Sequence, residues 1–564
     1  MKSGTIIHEA LPRELNDNAK LMELNCTEMS SNATLPETLS AILARNVALH
    51  EDGIAFIDGE REITYREFDV MVRRSAAWLI AQGVQSGDRV AVWLVNCIEW
   101  LALYFGLARI GASLVAVNTR YRSHELAYLL ECSQANLLVL QINFRKIDFP
   151  AVLRDVPSKA ACALRKVAVV ASSGSNLPAK VLGRPTVTFD LGALPDVDTP
   201  DRAAPDAPCI LFTTSGTTSG PKLVVHTQRT ATRHCLNVIH GFHLDKNDAR
   251  LLAALPFCGT FGLTGVMAAF AGSRPVILMD TFDGPEAARL INAQRITHLF
   301  GSDEMFQRVI DHAPPGERPF PTAQVFGFAS FQPGVLALAQ AAWARHIPML
   351  GLYGSSEVHA LFSLQDRRLP MEERILGGGR PVCADTKIRI RDVETGVLLP
   401  FRQSGIIEIK SPTNFVSYLN NPEATTKSFD ADGYFSTGDA GYLCEDGSFV
   451  YQTRLGDAMR LSGYLVNPVE IEDVIKTVPG VLDVQIVAVE IGQQIKPVAF
   501  VIPQPGQAPS ESAIREAVSA ILAPFKVPAC VWLIDQFPVT QSSNGVKIQR
   551  VKLRDMALER LNLA

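Results

Sequence analysis

The chain has ten cysteines, from Cys26 to Cys530, but no Cys-x-x-Cys pair. The usual spacing of a zinc or dithiol site is therefore missing, and so is a disulfide framework; the thiols read as reduced, mostly buried small hydrophobes of a cytoplasmic protein. Net charge is also scarce, since 53 Lys and Arg against 58 Asp and Glu leave only −5. There is no basic field to hold nucleic acid or anionic lipid, so an anionic substrate has to be met by local sites. The first residues, MKSGTIIHEALPRELNDNAK, lack the continuous apolar core of a signal peptide, and 1–35 reads as a poorly ordered leader. The charge-free run 251–273 is long enough to span a membrane. It is broken by Pro256, Gly259, Gly262, Gly265 and Gly272, so a buried turn and helix is expected and no integral span. A Walker A loop is excluded, because Pro221 separates Gly220 from Lys222 and Leu223 follows.

What is present begins with 213–226, TTSGTTSGPKLVVH. Ser, Thr and Gly fill every position from Thr213 to Gly220, after the short apolar strand candidate Ile210-Leu211-Phe212. Gly216 and Gly220 allow positive φ, so successive N–H groups can converge on an anion, while the hydroxyls of Thr213, Thr214, Ser215, Thr217 and Thr218 add donors and Lys222 adds positive charge. A flexible linker of the same composition would have no reason to be flanked by strands. The stretch reads as a phosphate loop.

At 564 residues with 47% hydrophobic and 20% charged side chains, the chain is globular and too long for one core. Thr64 and Glu67 have capping-box spacing ahead of an apolar face at Phe68, Met71, Val72, Ser75 and Leu79, and Gly83 stops that helix. Strand 90–95, helix 100–110 and strand 114–117 form a βαβ unit, which helix 124–132 and strand 137–140 repeat; the class is α/β. The stretch 156–208, rich in Ser, Gly, Pro, Ala and Asp, reads as an irregular connection. Alternation resumes with 276–279, 285–294, 297–300, 325–328 and 349–353. Ligands of parallel sheets sit beyond the carboxyl ends of the strands, which puts Gly327, Phe328 and Ala329, and then Tyr353, Gly354, Ser355, Ser356 and Glu357, beside the phosphate loop. Short alternating runs over 387–449 predict a small antiparallel β lobe. Beyond 454, Asn467-Pro468 caps a helix to 478, strands follow at 481–489 and 498–502, and a helix at 510–523, giving a smaller α+β domain.

Four further stretches carry chemistry: YGSSE (353–357), GYFSTGD (433–439), TRLGDAMRLSGYLVNPVEIE (453–472) and NGVKIQR (544–550). With the phosphate loop, and in this order, they resemble the adenylate-forming superfamily, on its acyl- and aryl-CoA synthetase branch. The resemblance runs from ITYREFD (63–69) to KIQRVKLR (547–554). It implies a large N-terminal domain, 36–453, of two parallel-sheet α/β lobes plus the small β lobe, a hinge at 454–457, and a mobile C-terminal domain at 458–564. It also implies ATP, Mg²⁺ and CoA as cosubstrates and cofactor, with a small carboxylic acid as substrate and a separate carrier protein as the alternative acceptor. The implied assembly is a monomer or homodimer. Lys222 with the loop takes the β- and γ-phosphates, Glu357 takes Mg²⁺, and Ser356, where the family usually has Thr, meets the α-phosphate. Asp439 and Arg454 hold the ribose, Lys547 is the mobile catalytic lysine, and Ser462, Gly463 and Tyr464 line the CoA tunnel.

The departures from the family pattern are local. Ser219 replaces a loop glycine and Leu223 another, the hinge position is Gly456, and Asn544-Gly545-Val546-Lys547 holds one residue more than the usual Gly-Lys-Ile, which leaves Lys552 as the alternative lysine. The acid pocket is expected at Phe257, Cys258, Gly259, Phe261, Phe328 and Val358, with His359 as a polar tip or as a satisfied core histidine. Gly259 opens the pocket where many relatives have an aromatic or a histidine, and the absence of an Asp there disfavours an amino acid. An aromatic or medium-length aliphatic acid suits the remaining side chains.

Overall fold

The structure, a computed structural model, describes residues 35–562 except 145, 173–174, 215–221, 330–334, 456–458, 462–463, 493, 523 and 543–544. For 335, 460, 464–465, 541–542, 545–547 and 562 only the backbone is described.

Two large sheets dominate. The first has nine strands, with its parallel centre ordered Pro208–Thr213, Ser113–Ala116, Arg89–Trp93, Leu137–Leu140, Lys166–Val170 and Arg184–Phe189. The stretch expected to be irregular, 156–208, thus supplies two parallel strands. The first, Lys166–Val170, is built on the apolar run Val167-Ala168-Val169-Val170 and is secured by pairing with the distant Leu137–Leu140; the second, Arg184–Phe189, pairs with the first. The second sheet has thirteen strands. Its parallel part runs Met349–Ser355, Val325–Ala329, His298–Ser302, Leu251–Ala253, Val276–Leu278 and Ile54–Asp58. Through the antiparallel strands His359–Leu364 and Gly377–Pro381 it continues into the expected small β lobe, whose core of Ile390, Ile407, Ile409, Phe415, Phe435 and Phe449 also takes in Val224 of the first sheet and Tyr353 and Phe362 of the second.

Helices fill the layers beside the sheets. Tyr65–Ala81 starts where Thr64 Oγ1 accepts from the Glu67 amide at 3.2 Å and Glu67 Oε2 accepts from the Thr64 amide at 2.8 Å. Its buried face packs on Ile98–Arg109, and Phe56, Phe68, Phe105 and Phe270 interlock beneath both. Each such ring contributes about 1.5–3 kcal/mol by burial. The charge-free run folds as the strand Leu251–Ala253, a turn, and the wholly buried helix Thr260–Ala271. No helix among the described residues is long and apolar enough to cross a membrane.

The C-terminal part is α+β. Val481–Ile491, Gln494–Pro503 and Cys530–Leu533 form a three-stranded sheet packed by helices Pro468–Lys476, Glu511–Ile521 and Arg550–Asn562. Two hairpins flank it, Met459–Leu461 with Tyr464–Val466, and Val539–Ser542 with Gly545–Ile548.

Candidate active site

Strands Pro208–Thr213 and Leu223–Thr227 pair antiparallel, and the first of them lies parallel to Ser113–Ala116, so this hairpin stands at the edge of the parallel part of the sheet with Thr213 at a strand's carboxyl end. The hairpin's last rung is tied twice: the Thr214 amide donates to the Lys222 carbonyl at 2.9 Å, and the Lys222 amide donates to Thr214 Oγ1 at 3.1 Å. Tyr121 donates to Thr213 Oγ1 at 2.7 Å. Residues Ser215, Gly216, Thr217, Thr218 and Gly220 lie outside the described residues.

The second sheet meets this hairpin at the YGSSE stretch. Gly354 sits where an added Cβ would lie 2.5 Å from Ala360 Cα, so only glycine lets the strand fold back so tightly on His359–Leu364. The turn presents Glu357, whose Oε1 accepts from the Tyr418 hydroxyl at 3.0 Å. The same Tyr418 ring lies 4.5 Å from Lys222 Nζ. One aromatic residue therefore joins the lysine of the hairpin to the carboxylate of the other sheet. Tyr418 stands in the two-residue strand Ser417–Tyr418, pairs with Val224, and did not stand out in the sequence. Burial, and then Glu357, raise its phenol above its ordinary range.

Asp439 is 2% exposed and opposite Arg454 in the ladder of Phe435–Leu443 with Phe449–Arg454. Arg454 Nε lies 3.0 Å from Asp439 Oδ1, and the Tyr353 hydroxyl donates to Asp439 Oδ2 at 2.6 Å. Thr437 Oγ1 accepts from the Asp439 amide at 3.0 Å, and Gly438 takes φ +72°, which makes the bend that points the carboxylate inward. The Arg454 guanidinium is held above its ordinary range, chiefly by Asp439. Burial, then Asp439, hold the Tyr353 phenol far above its own. With its side chain 44% exposed, Arg454 keeps an open edge. The structure thus gathers the charged and hydroxyl groups of Lys222, Glu357, Tyr353, Asp439 and Arg454 near the junction of two sheets.

The residues expected around the acid fall into different packing layers. Phe257, Cys258 and Phe261 share one core cluster, with Phe257 edge-on to Trp100 and its amide donating to Asn96 Oδ1 at 2.8 Å. Gly259 is the N-cap position of the helix Thr260–Ala271. Phe328 instead packs with Phe306 and Phe326 in the layer on the other face of the strand, and Val358 packs with Tyr353 and Phe362 in the β lobe. Strand-end position fixes which residues are near the mouth of a sheet but not which face a side chain takes when both faces are buried. Gly327 faces Phe300 and Leu352, and Ala329 ends its strand.

His359 is 4% exposed and has company that was not anticipated. Its ring stacks on His226 at 3.7 Å and on His234 at 4.7 Å between centroids. His226 Nε2 donates to the carbonyl of Ser356 at 2.7 Å, which links the hairpin strand directly to the YGSSE turn.

Lys547 lies in the strand Gly545–Ile548 opposite Thr540; its side chain is outside the described part. So is that of Tyr464, while Ser462, Gly463 and Gly456 are wholly outside it. Directly after the lysine strand, Arg550 Nη2 grips both oxygens of the buried Glu472 at 2.6 and 2.8 Å.

The profile described as AMP-binding enzyme matches residues 43–419, and that described as AMP-binding enzyme C-terminal domain matches 470–544. The chain belongs to the AMP-binding enzyme family. It stands on the acyl- and aryl-CoA synthetase branch of the adenylate-forming superfamily. Relatives of this AMP-binding enzyme include the 3-[(3aS,4S,7aS)-7a-methyl-1,5-dioxo-octahydro-1H-inden-4-yl]propanoyl:CoA ligase of Mycobacterium tuberculosis, 30% identical over 92% of this chain and 99% of the relative. The 3-hydroxybenzoate–CoA ligase of an Aromatoleum species is 26% identical over 92% of this chain and 96% of the relative. Among solved structures, ATP-bound MatB from Rhodopseudomonas palustris superposes with a TM-score of 0.76 at 25% identity, covering 91% of this chain and 98% of that one.

Proposed function

We propose that this AMP-binding enzyme is an ATP-dependent carboxylic acid–CoA ligase, which joins an acid to AMP with release of pyrophosphate and then passes the acyl group to the thiol of CoA. The acid is aromatic or of medium aliphatic length. The observation that carries the reading is the junction at Tyr418, where a lysine from the hairpin of one sheet and Glu357 from the other are held to one phenol. Relatives over nearly the full length are acid–CoA ligases, and the MatB neighbour was solved with ATP bound.

In this reading Lys222 and the 213–220 hydroxyls take the β- and γ-phosphates and Ser356 takes the α-phosphate. Asp439, held between Tyr353 and Arg454, accepts from the two ribose hydroxyls, and the open edge of Arg454 adds positive charge. Glu357, an oxygen donor beside the phosphate site, fits Mg²⁺, which when bound neutralises phosphate charge. Lys547 enters from the 458–564 domain to stabilise charge as the acid oxygen attacks the α-phosphate, then leaves as that domain turns about 454–457 and brings 462–464 to the site. Apolar Phe257 and Phe261 keep water from the activated acid. Free thiols at all nine described cysteines fit a cytoplasmic enzyme.

Incubation of the enzyme with ATP, Mg²⁺, a panel of acids, and either CoA or an acyl carrier protein tests the reading. AMP and an acyl-CoA should accumulate together. Thioester on the carrier protein alone would assign the other acceptor, and acid-dependent AMP with neither thioester would refute the ligase.

A further inference from the structure

The three stacked histidines are not used by the mechanism above, and their hydrogen bonding is incomplete. His226 and His234 each donate Nε2–H to a backbone carbonyl, of Ser356 and of Ala360, at 2.7 and 2.8 Å. Those bonds fix the tautomer and leave Nδ1 of each ring as an acceptor. For His226 the acceptor faces the Thr230 hydroxyl at 3.4 Å; for His234, 1% exposed, it has no partner among the described residues. His359 Nε2 is likewise buried without a partner among the described residues. A buried polar atom left unpaired costs about 1–3 kcal/mol, and here two occur on neighbouring parallel rings. His359 also holds φ +64°, in the left-handed region that a non-glycine residue rarely occupies outside sites where the surroundings impose it.

The stack stands beside the acid-binding stretch. The Ala360 amide donates to Thr260 Oγ1 at 3.4 Å, and Thr260 follows Gly259 at the start of a twelve-residue helix. On its other side His226 belongs to the hairpin strand that directly follows Lys222, so the rings lie between the proposed nucleotide site and the residues around Gly259.

We propose that His234 and His359, backed by His226, form the far wall of the acid pocket and recognise a neutral hydroxyl substituent on the acid. This rests on the ligase reading and narrows its substrate class to hydroxy acids. A hydroxyl both donates and accepts, so it meets the bare Nδ1 of His234 and either tautomer of His359. A second carboxylate is rejected: burial holds His226 and His234 down to about 4, and burial with the two neighbouring rings holds His359 well below its ordinary range, so the wall carries no charge. A plain acid leaves the ring nitrogens unpaired.

The test is acid-dependent ATP–pyrophosphate exchange with three matched sets: the isomeric hydroxybenzoates and hydroxyoctanoates, then benzoate and octanoate, then isophthalate and suberate. The wild type should show a kcat/KM for at least one hydroxy isomer about 100-fold or more above its plain and dicarboxylic counterparts. His359→Leu and His234→Leu should each cut that preference, the ratio of kcat/KM for the hydroxy acid to that for its plain counterpart, to below about 5-fold, and His359→Gln should restore part of it. AMP affinity unchanged in the variants shows that they fold. Plain acids or dicarboxylates exchanged as fast as every hydroxy isomer, or a preference that survives both leucine variants, would overturn the proposal. Exchange with no acid at all would remove the ligase reading itself, and this inference with it.

Discussion

Replacing Tyr418 by Phe isolates one link at the junction of the two sheets. The change removes only the hydroxyl that donates to Glu357 Oε1 at 3.0 Å and leaves the ring 4.5 Å from Lys222 Nζ. A hydrogen bond to a charged group is worth about 1.5–3 kcal/mol. Because Glu357 is only half-buried, the lower end applies, and at about 1.4 kcal/mol per tenfold the expected loss is about tenfold. That loss should fall on the metal–nucleotide: KM for MgATP in acid-dependent pyrophosphate exchange rises about tenfold, while AMP affinity by calorimetry, which reports the Asp439 end, stays within about twofold. Tyr418→Leu also removes the ring beside Lys222, worth about 0.5–1 kcal/mol more, and should be several-fold worse again. An unchanged KM in Tyr418→Phe, or an equal loss of AMP affinity, would refute the idea that this phenol aims the carboxylate.

Tyr353→Phe removes the 2.6 Å donor to buried Asp439 and should weaken AMP binding by about 10-fold or more, read by calorimetry. Gly354→Ala places a Cβ 2.5 Å from Ala360 Cα, so both melting temperature and exchange activity should fall. Acid lability should report the buried imidazoles. His226, His234 and His298 are held down to about 4 in the fold but titrate near 6.5 when unfolded, so the unfolded state binds more protons between those values. Stability is then complete above about pH 6.5 and falls toward pH 4 by about 1.4 kcal/mol per pH unit for each ring. Urea melts across that range should show the slope, and His298→Gln should reduce it.

Much of this architecture was readable from local chemistry. The Thr64–Glu67 cap, the strand-end position of YGSSE and the bend before Asp439 are each written in a few adjacent residues, and each appears where its residue types demand. What could not be read depends on distant pairing or on facing. Tyr418 is an ordinary aromatic until Val224, nearly two hundred residues earlier, pairs with it. The strands hidden in 156–208 form because Leu137–Leu140 supplies a ladder to Lys166–Val170, which in turn supplies one to Arg184–Phe189. Phe328 and Val358 lie on elements of the site yet turn their side chains into other layers, a choice made by packing on buried sheets. The histidine stack joins residues from two strands and a helix, with no spacing in the chain to announce it.

The central claim is that Lys547 serves adenylation alone, at a nucleotide site between the 213–222 hairpin and Glu357. The most direct measurement compares two half-reactions in Lys547→Ala: acid-dependent pyrophosphate exchange, and thioester formation from supplied acyl-AMP and CoA. The account predicts exchange reduced by about 100-fold or more with thioester formation within a few-fold of wild type. Equal loss of both half-reactions, or full exchange without the lysine, would contradict it.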